Sequence, residues 1–568
     1  MMRQVGAVSK SGAAAAATAM VLGAAALAGC SSSSGSAGGA AAGGAGASAT
    51  LNIVAGEGTS IQADFNPFQV ATLAATSGTD MLYLPLETYN SLTGDYTPYL
   101  ATGHDIVSAT QVDFTLRPGV TWSDGTPVTA ADVEYTFGIL KKNPALDTTG
   151  VWQVLQSVTA SGSTLVFKLK APDSQAAADL AQIPVVPAKV WSAVSDPATF
   201  VNAAPTVVDG PYELQNCSSV KVVYAKNPKY FGRAQMSQAP DTVTGTPEEP
   251  GATQVLNLEK GVYDWNEAND DDRGGLASDW VAKDPGKNAY WIPAAGLVTM
   301  YLNLDKAPFN DPAFRQALDA GINRQAVAQR ANINGYESAA TQTGLLPAQD
   351  SLIPAALKGG YASYDPAKAK QLLLAAGYHY SGSTLIGKNG QPVTFTLQVV
   401  QGFVDWLNDA QEIASELSAL GISVQISQVQ FSSAVSSIFS GQYDAAIYFG
   451  GLSADPYDNY QSLLDSNLSA PLGQPSAGDY ERLDSPQADQ LLGQIAASTS
   501  TAAQDTALSG LASYVYNAVP VIELTIQPGW FEYTTKDYTG WPSAANPYAD
   551  PIADDDQLEI IPQLKATA

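Results

Sequence analysis

The stretch VTFTLQVVQGFVDWLNDAQEIASELSALGISVQISQVQFSSAVSSIFSGQYDAAIYF, residues 393–449, decides the fold. Residues 393–400 read as a strand, rich in apolar and β-branched side chains. Trp406, Ala410, Ile413 and Leu417 then recur at helical spacing, and Gly421 ends that helix. Residues 422–429 read as a second strand, 432–439 as a short helix, and 443–449 as a third strand, apolar as a buried parallel strand should be. The alternation is βαβαβ, an α/β lobe on a parallel sheet. Ligands of such sheets bind beyond the carboxyl ends of the strands. The segment leaving the third strand there is Gly450-Gly451-Leu452-Ser453-Ala454-Asp455-Pro456-Tyr457-Asp458-Asn459-Tyr460, read as a loop. Its carboxylates, Asp455 and Asp458, suit a cation; Leu452 and Tyr457 suit apolar groups, and the glycines allow close approach. The same composition also suits an ordinary solvated loop turned by Asp and Pro.

Working outward, Asp311-Pro312 places an N-cap before a proline at the first helical position, with Phe314, Leu318 and Ile322 on one face. Asp365-Pro366 repeats the device, and its helix ends at Gly377. Nearer the N-terminus, residues 112–116 alternate as a strand, Ser123-Asp124-Gly125 turns the chain, and Thr129-Ala130-Ala131-Asp132 fits a capping box before a helix carrying Val133, Phe137 and Leu140.

The chain has 568 residues, ample for several domains, with 27 basic and 54 acidic side chains and a net charge of −27. Phosphate binding rests on Lys and Arg, so nucleic acid is not an expected partner. Cys30 and Cys217 are the only cysteines, which excludes a disulfide framework and a cysteine-rich metal site; Cys217 is expected to be a buried small hydrophobe. Neither a resident metal nor a cofactor is expected. The acidic runs at residues 270–272 and 554–556 lack calcium-loop spacing and read as solvated surface. Arg3 and Lys10 precede an uncharged segment ending in Leu27-Ala28-Gly29-Cys30, which resembles the lipobox of bacterial lipoproteins. It implies a signal peptide over 1–29 and a lipid on Cys30. Residues 31–50, only Ser, Gly, Ala and Thr, make 30–50 a flexible tether.

Several blocks, in one order, resemble the extracellular solute-binding proteins of family 5, the dipeptide- and oligopeptide-binding type. LRPGVTWSDGTPVTAADV (116–133) is similar to "LRxGVxFxDGTPxTAxDV"; DGPY (209–212) with KNPKYF (226–231) is similar to "GTGPY … NPxYW"; and Tyr301-Leu302-Asn303, Pro308-Phe309-Asn310-Asp311 and Arg315-Gln316-Ala317-Leu318 resemble "xxFNxxxPPFxDxRVRQAL". The resemblance implies a two-lobed α/β clamshell with an extra domain, of the type II, peptide-binding cluster. One lobe would take 51–92, 208–303 and 516–568, the extra domain 93–207, and the other lobe 304–515. Gly119, Asp124, Gly125 and Trp122 would be architectural.

In peptide-binding members an aspartate in the loop after "YDxAxxGW" pairs with the peptide's α-amino group. Tyr443-Asp444-Ala445-Ala446-Ile447 leads into that loop and Asp455 matches. Leu452 stands where the family has an aromatic, and the loop is shorter, so Asp458 is a rival. No arginine lies between Arg330 and Arg482, which disfavours a fixed clamp for a peptide carboxylate and therefore strict length selection. Glu57 and Gly58, after the first strand, and Trp265, near a "GxxD" segment, would be further contacts, though turn and core roles fit them as well. The implied function is a monomeric, lipid-anchored substrate-binding component of an ABC importer outside the cell membrane, delivering oligopeptides to a permease without chemistry. Within the class, oligosaccharides, haem or nickel complexes are alternatives; His104 and His379 offer no obvious pair of nickel ligands. A cell-envelope sensor or hydrolase is the alternative from outside it.

Overall fold

A computed structural model describes residues 50–54, 60–69, 78–247, 257–266, 276–331, 339–358, 364–451, 453, 455–529, 531–551 and 556–567. Residues 393–449 fold as read. Thr394–Val400, Ser423–Val429 and Ala445–Gly450 are parallel, joined by the helices Val404–Ala419 and Phe431–Phe439. Trp406, Ala410, Ile413 and Leu417 are buried in one apolar core with Leu397 and Ile447. Gly421 has φ +77, and a Cβ there would stand 2.4 Å from the Ser383 carbonyl oxygen, so only glycine closes this helix.

Two antiparallel strands, Ala294–Leu302 and Val521–Pro528, complete this sheet in the order Ser423–Val429, Thr394–Val400, Ala445–Gly450, Ala294–Leu302, Val521–Pro528. The resemblance had assigned both to the other lobe, but the second sheet's hydrogen bonds claim them. That other lobe holds a seven-stranded sheet ordered Asn288–Trp291, Phe531–Thr534, Trp265–Asn266, Thr50–Val54, Thr242–Thr246, Lys221–Lys226, Tyr212–Ser218. Among the described strands the chain therefore passes between lobes twice, from Trp291 to Ala294 and from Pro528 to Phe531, and the Gly529 N–H donates to the Pro293 carbonyl at 2.8 Å.

The extra domain is a four-stranded antiparallel sheet, Ala101–Ser108, Gln111–Leu116, Thr164–Leu169 and Leu155–Ser161, covered by the helix Ala130–Lys142. Asp132 accepts from the backbone N–H and the hydroxyl of Thr129, both at 2.8 Å, which forms the acidic half of the box. Phe114, Phe137 and Phe167 share one continuous core with Leu51, Ile53 and Val243 of the seven-stranded lobe. These two units are thus packed as one body, while the other lobe keeps its own cores. Cys217 is only half-buried, because it lies on the edge strand Tyr212–Ser218.

Asp311 accepts from the Ala313 N–H at 3.2 Å and Asp365 from the Lys368 N–H at 2.8 Å, as the Asp-Pro reading requires. A third Asp-Pro does the same. Residues 456 onward form a helix, Pro456–Leu464, and Asp455 caps it by accepting from the Tyr457 N–H at 2.8 Å. The expected loop is thus shortened by a helix. Asparagine caps as well as aspartate, whereas alanine cannot. Asp455→Ala should therefore cost about 1 kcal/mol in urea unfolding and Asp455→Asn only a few tenths; equal losses would remove the cap from the account.

The second lobe also buries carboxyls. Burial pushes Glu523 up to about 7, with the Thr299 hydroxyl and Arg324 partly offsetting it. Burial likewise raises Glu481 well above its ordinary range, and the neighbouring Asp479 and Glu523 charges add to this. A carboxyl that holds its proton more tightly when folded stabilises fully below its unfolded value, and that contribution is lost as pH rises through the folded value. For Glu523 the window runs from about 4.5 to about 7. The stability difference between wild type and Glu523→Gln should shift in favour of the variant across that window in urea titrations; a pH-independent difference would contradict the burial argument.

Candidate functional site

The second lobe's sheet reverses its order at Thr394–Val400. From there the chain moves outward to Ser423–Val429 and then back past its start to Ala445–Gly450. Such a reversal leaves a crevice beyond the carboxyl ends of the strands. Ala294–Leu302 begins at the crossing and runs antiparallel to Ala445–Gly450, pairing Leu297 with Gly450. The carboxyl edge of the parallel strands therefore faces the other body.

Gly450 and Gly451 serve packing within this lobe: a Cβ would stand 2.4 Å from Thr299 Oγ1 at the first and 2.9 Å from Leu297 Cδ1 at the second, where φ is +57. Past them, Ser453 ties the turn to the helix. Its N–H donates to Asn459 Oδ1 at 2.8 Å, its hydroxyl donates to Asp458 Oδ2 at 3.1 Å, and it accepts from the Asp455 N–H at 3.1 Å. Asp455 and Asp458 thus stand together at a helix N-terminus, where negative charge is favoured. Tyr457 is buried in the helical core beside Tyr460 and Leu464, so it supports the helix instead of presenting a ring face. Leu452, Glu57, Gly58 and Cys30 lie outside the described residues.

Trp265 is also no cleft contact. It is 1 % exposed, with ring centroids 5.9 Å from Phe531 and 5.7 Å from Trp541, so it packs the seven-stranded lobe beside the crossing.

Across the cleft, the pair Glu87–Tyr89 and Tyr96–Pro98 carries a polar aromatic wall. His104 Nδ1 and the buried Glu87 Oε2 share a hydrogen bond of 2.6 Å. The His104 ring lies 4.6 Å from Tyr96 and 5.4 Å from Phe114, and Tyr96 lies 5.0 Å from Tyr89. This wall meets the Asp455 helix electrostatically. Burial raises the Tyr96 hydroxyl far above its usual range, with the charges of Tyr89 and Asp455 adding to it. Burial likewise raises Asp173, in the extra domain, and the Asp458 charge adds to the effect. The Asp458 charge thus acts on a carboxyl of the other body.

Further along the same edge, five rings cap the strand ends. Phe403 lies 4.8 Å from Trp406 and 6.2 Å from Phe449, Trp406 lies 4.7 Å from Phe449, and Phe431 lies 6.4 Å from Tyr448. Phe431 is 39 % exposed and Val404 45 %. An exposed apolar patch at a crevice is a surface suited to ligand. Among the described residues, no group of three or more His, Cys, Asp or Glu side chains is arranged to hold a metal ion. The cleft therefore combines negative charge near Asp455 with aromatic faces farther out, a combination for binding.

Comparison with known proteins agrees with this architecture. The model of the bacterial extracellular solute-binding proteins, family 5 (middle), matches residues 95–471. Protein XP55 of Streptomyces lividans is 29% identical over 320 residues, 56% of this chain and 56% of that protein; the chain spans just over half the length of such curated relatives. A periplasmic oligopeptide-binding protein of an oligopeptide ABC transporter from Thermotoga maritima has a TM-score of 0.80 at 26% identity, covering 92% of this chain and 100% of that one. Its mannohexaose-bound form has a TM-score of 0.72 at 25% identity, covering 91% and 98%. The two-lobed α/β frame, the extra domain and the family match over two-thirds of the sequence lead to one conclusion: the chain belongs to the family 5 bacterial extracellular solute-binding proteins.

Proposed function

We propose that the protein captures oligopeptides between its two bodies and delivers them to the permease of an ABC importer, with the lipid-modified Cys30 holding it as a monomer at the outer face of the cell membrane. It performs no chemistry; ligand favours the closed form by binding it more tightly than the open one. The observation that carries the reading is the crevice at the strand-order reversal, where the helix start sets Asp455 and Asp458 together and the Asp458 charge acts on Asp173 of the other body. An α-ammonium group offsets that charge. Asp455 is its anchor, with Asp458 beside it, and the aromatic shelf around Phe403 and Phe431 receives apolar side chains. The oligopeptide-binding relative supports the same reading. A second reading, an oligosaccharide ligand, is favoured by the shelf itself, since aromatic faces stack on sugar rings, and by the mannohexaose-bound relative.

Because asparagine preserves the helix cap, Asp455→Asn isolates the charge. In calorimetric titration it should weaken binding of free peptides by about 1.5–3 kcal/mol, the range for a hydrogen bond to a charged group. N-acetylated peptides should bind wild type and variant alike. Equal loss for both peptide forms would remove the ammonium anchor, and binding of mannohexaose with no response to any peptide would favour the sugar reading.

A further inference from the structure

Ser174 joins the two bodies at a point the ligand site does not use. It lies just after Asp173, whose N–H donates to the Ala109 carbonyl at 2.7 Å and so fixes this turn to the extra domain. Ser174 is 1 % exposed; its hydroxyl accepts from Gln175 Nε2 of its own body at 3.2 Å, and its other partners belong to the other lobe. Its N–H donates to the Ala496 carbonyl at 2.9 Å and its hydroxyl to the Ile495 carbonyl at 3.1 Å. Gln504 Nε2 in turn donates to Ser174 Oγ at 3.0 Å and to the Ser498 carbonyl at 2.7 Å. Ile495 and Ala496 end the helix Pro486–Ala497, and Gln504 lies on the next helix, Thr501–Ala518; these helices share a core with Leu345 and Tyr460 of the second lobe. The last carbonyls of a helix have no partner within it. Ser174 donates to the Ile495 and Ala496 carbonyls from the other body.

We propose that Ser174 and Gln504 form a latch that holds the cleft closed, with Ser174 as a positioning residue that sets the closed fraction without touching ligand. Separating the bodies breaks the bonds from Ser174 to Ile495 and Ala496 and from Gln504 to Ser174; the Ala496 carbonyl is then left to water, while the Ile495 carbonyl keeps the Ser498 N–H and the Ser174 hydroxyl keeps Gln175 Nε2. A counterforce stands one residue away. Asp173 enters the negative field of Asp458 on closing, so like charges oppose the state that the latch favours. The latch rests on the two-body closure and not on the identity of the ligand, so it is testable without one.

The test is single-molecule fluorescence transfer in the unliganded full chain, between dyes on Thr159→Cys and Ser423→Cys, with Cys30→Ser and Cys217→Ser as background; Thr159 and Ser423 are exposed and on different bodies. Ser174→Ala should lower the closed-to-open ratio about 2- to 10-fold, the range for losing one hydrogen bond. Gln504→Ala should shift it in the same direction, Ser174→Thr should restore the wild-type ratio, and Asp173→Asn should raise it. Distributions in Ser174→Ala and Gln504→Ala that match wild type would overturn the latch. So would a loss in Ser174→Thr as large as in Ser174→Ala, because a retained hydroxyl would then be irrelevant. Peptide titrations of the same variants separate this from ligand identity: a latch that responds as stated in a protein that binds no peptide stands, while the peptide reading falls.

Discussion

The constraint on which the molecule depends is the double crossing between its bodies. Two adjacent segments, tied by the Gly529 N–H to the Pro293 carbonyl, are the covalent route between a seven-stranded sheet and a five-stranded one. The apolar cores on either side are separate, so burial of apolar surface does not fix the angle between the bodies. That angle is left to a few polar contacts across the cleft. In the proposed closure, interactions of modest size, a capping hydroxyl or a pair of carboxylates, are what decides between open and closed. The extra domain shares its core with one lobe and reaches the other through Ser174, which is where the proposed latch acts.

Where the fold rests on local patterns, it was legible in the sequence. The spacing of Trp406, Ala410, Ile413 and Leu417 determines which helix face is buried, and glycine at 421 determines where that helix stops. What local patterns lack is sheet membership. Residues 294–302 and 521–528 carry the composition of strands, but only long-range pairing assigns them to the five-stranded sheet, so the expected lobe boundaries placed them with the wrong partner. Asp455 shows a different failure. Asp-Pro is a helix start at 311 and 365 by the same physics that applies at 455, yet flanking glycines and the position after a parallel strand led to a loop reading there.

The candidate site was half legible. The side where Gly450, Gly451, Ser453, Asp455 and Asp458 lie, after the third parallel strand, follows from the βαβαβ rule. The opposite wall does not, because Glu87, Tyr96, His104 and Asp173 are scattered along the chain and meet only through tertiary packing. Phe403 and Phe431 did leave a signal. Each is an aromatic residue at the start of a helix, directly after a parallel strand has reached its carboxyl end, where an apolar ring gains little unless something covers it. Trp265 shows the reverse, an aromatic near the crossing whose burial assigns it to the frame.

The double duty proposed for Asp455, helix cap and ammonium anchor, has a consequence for how such a protein can change over generations. The residue types that start a helix well are aspartate, asparagine, serine and threonine, and only the first of these is charged. A single exchange of aspartate for asparagine removes a negative charge from the cleft while the helix beneath it keeps its start. Preference for cationic or neutral solutes can therefore drift in descendants of this sequence along a route that selection for a folded protein leaves open.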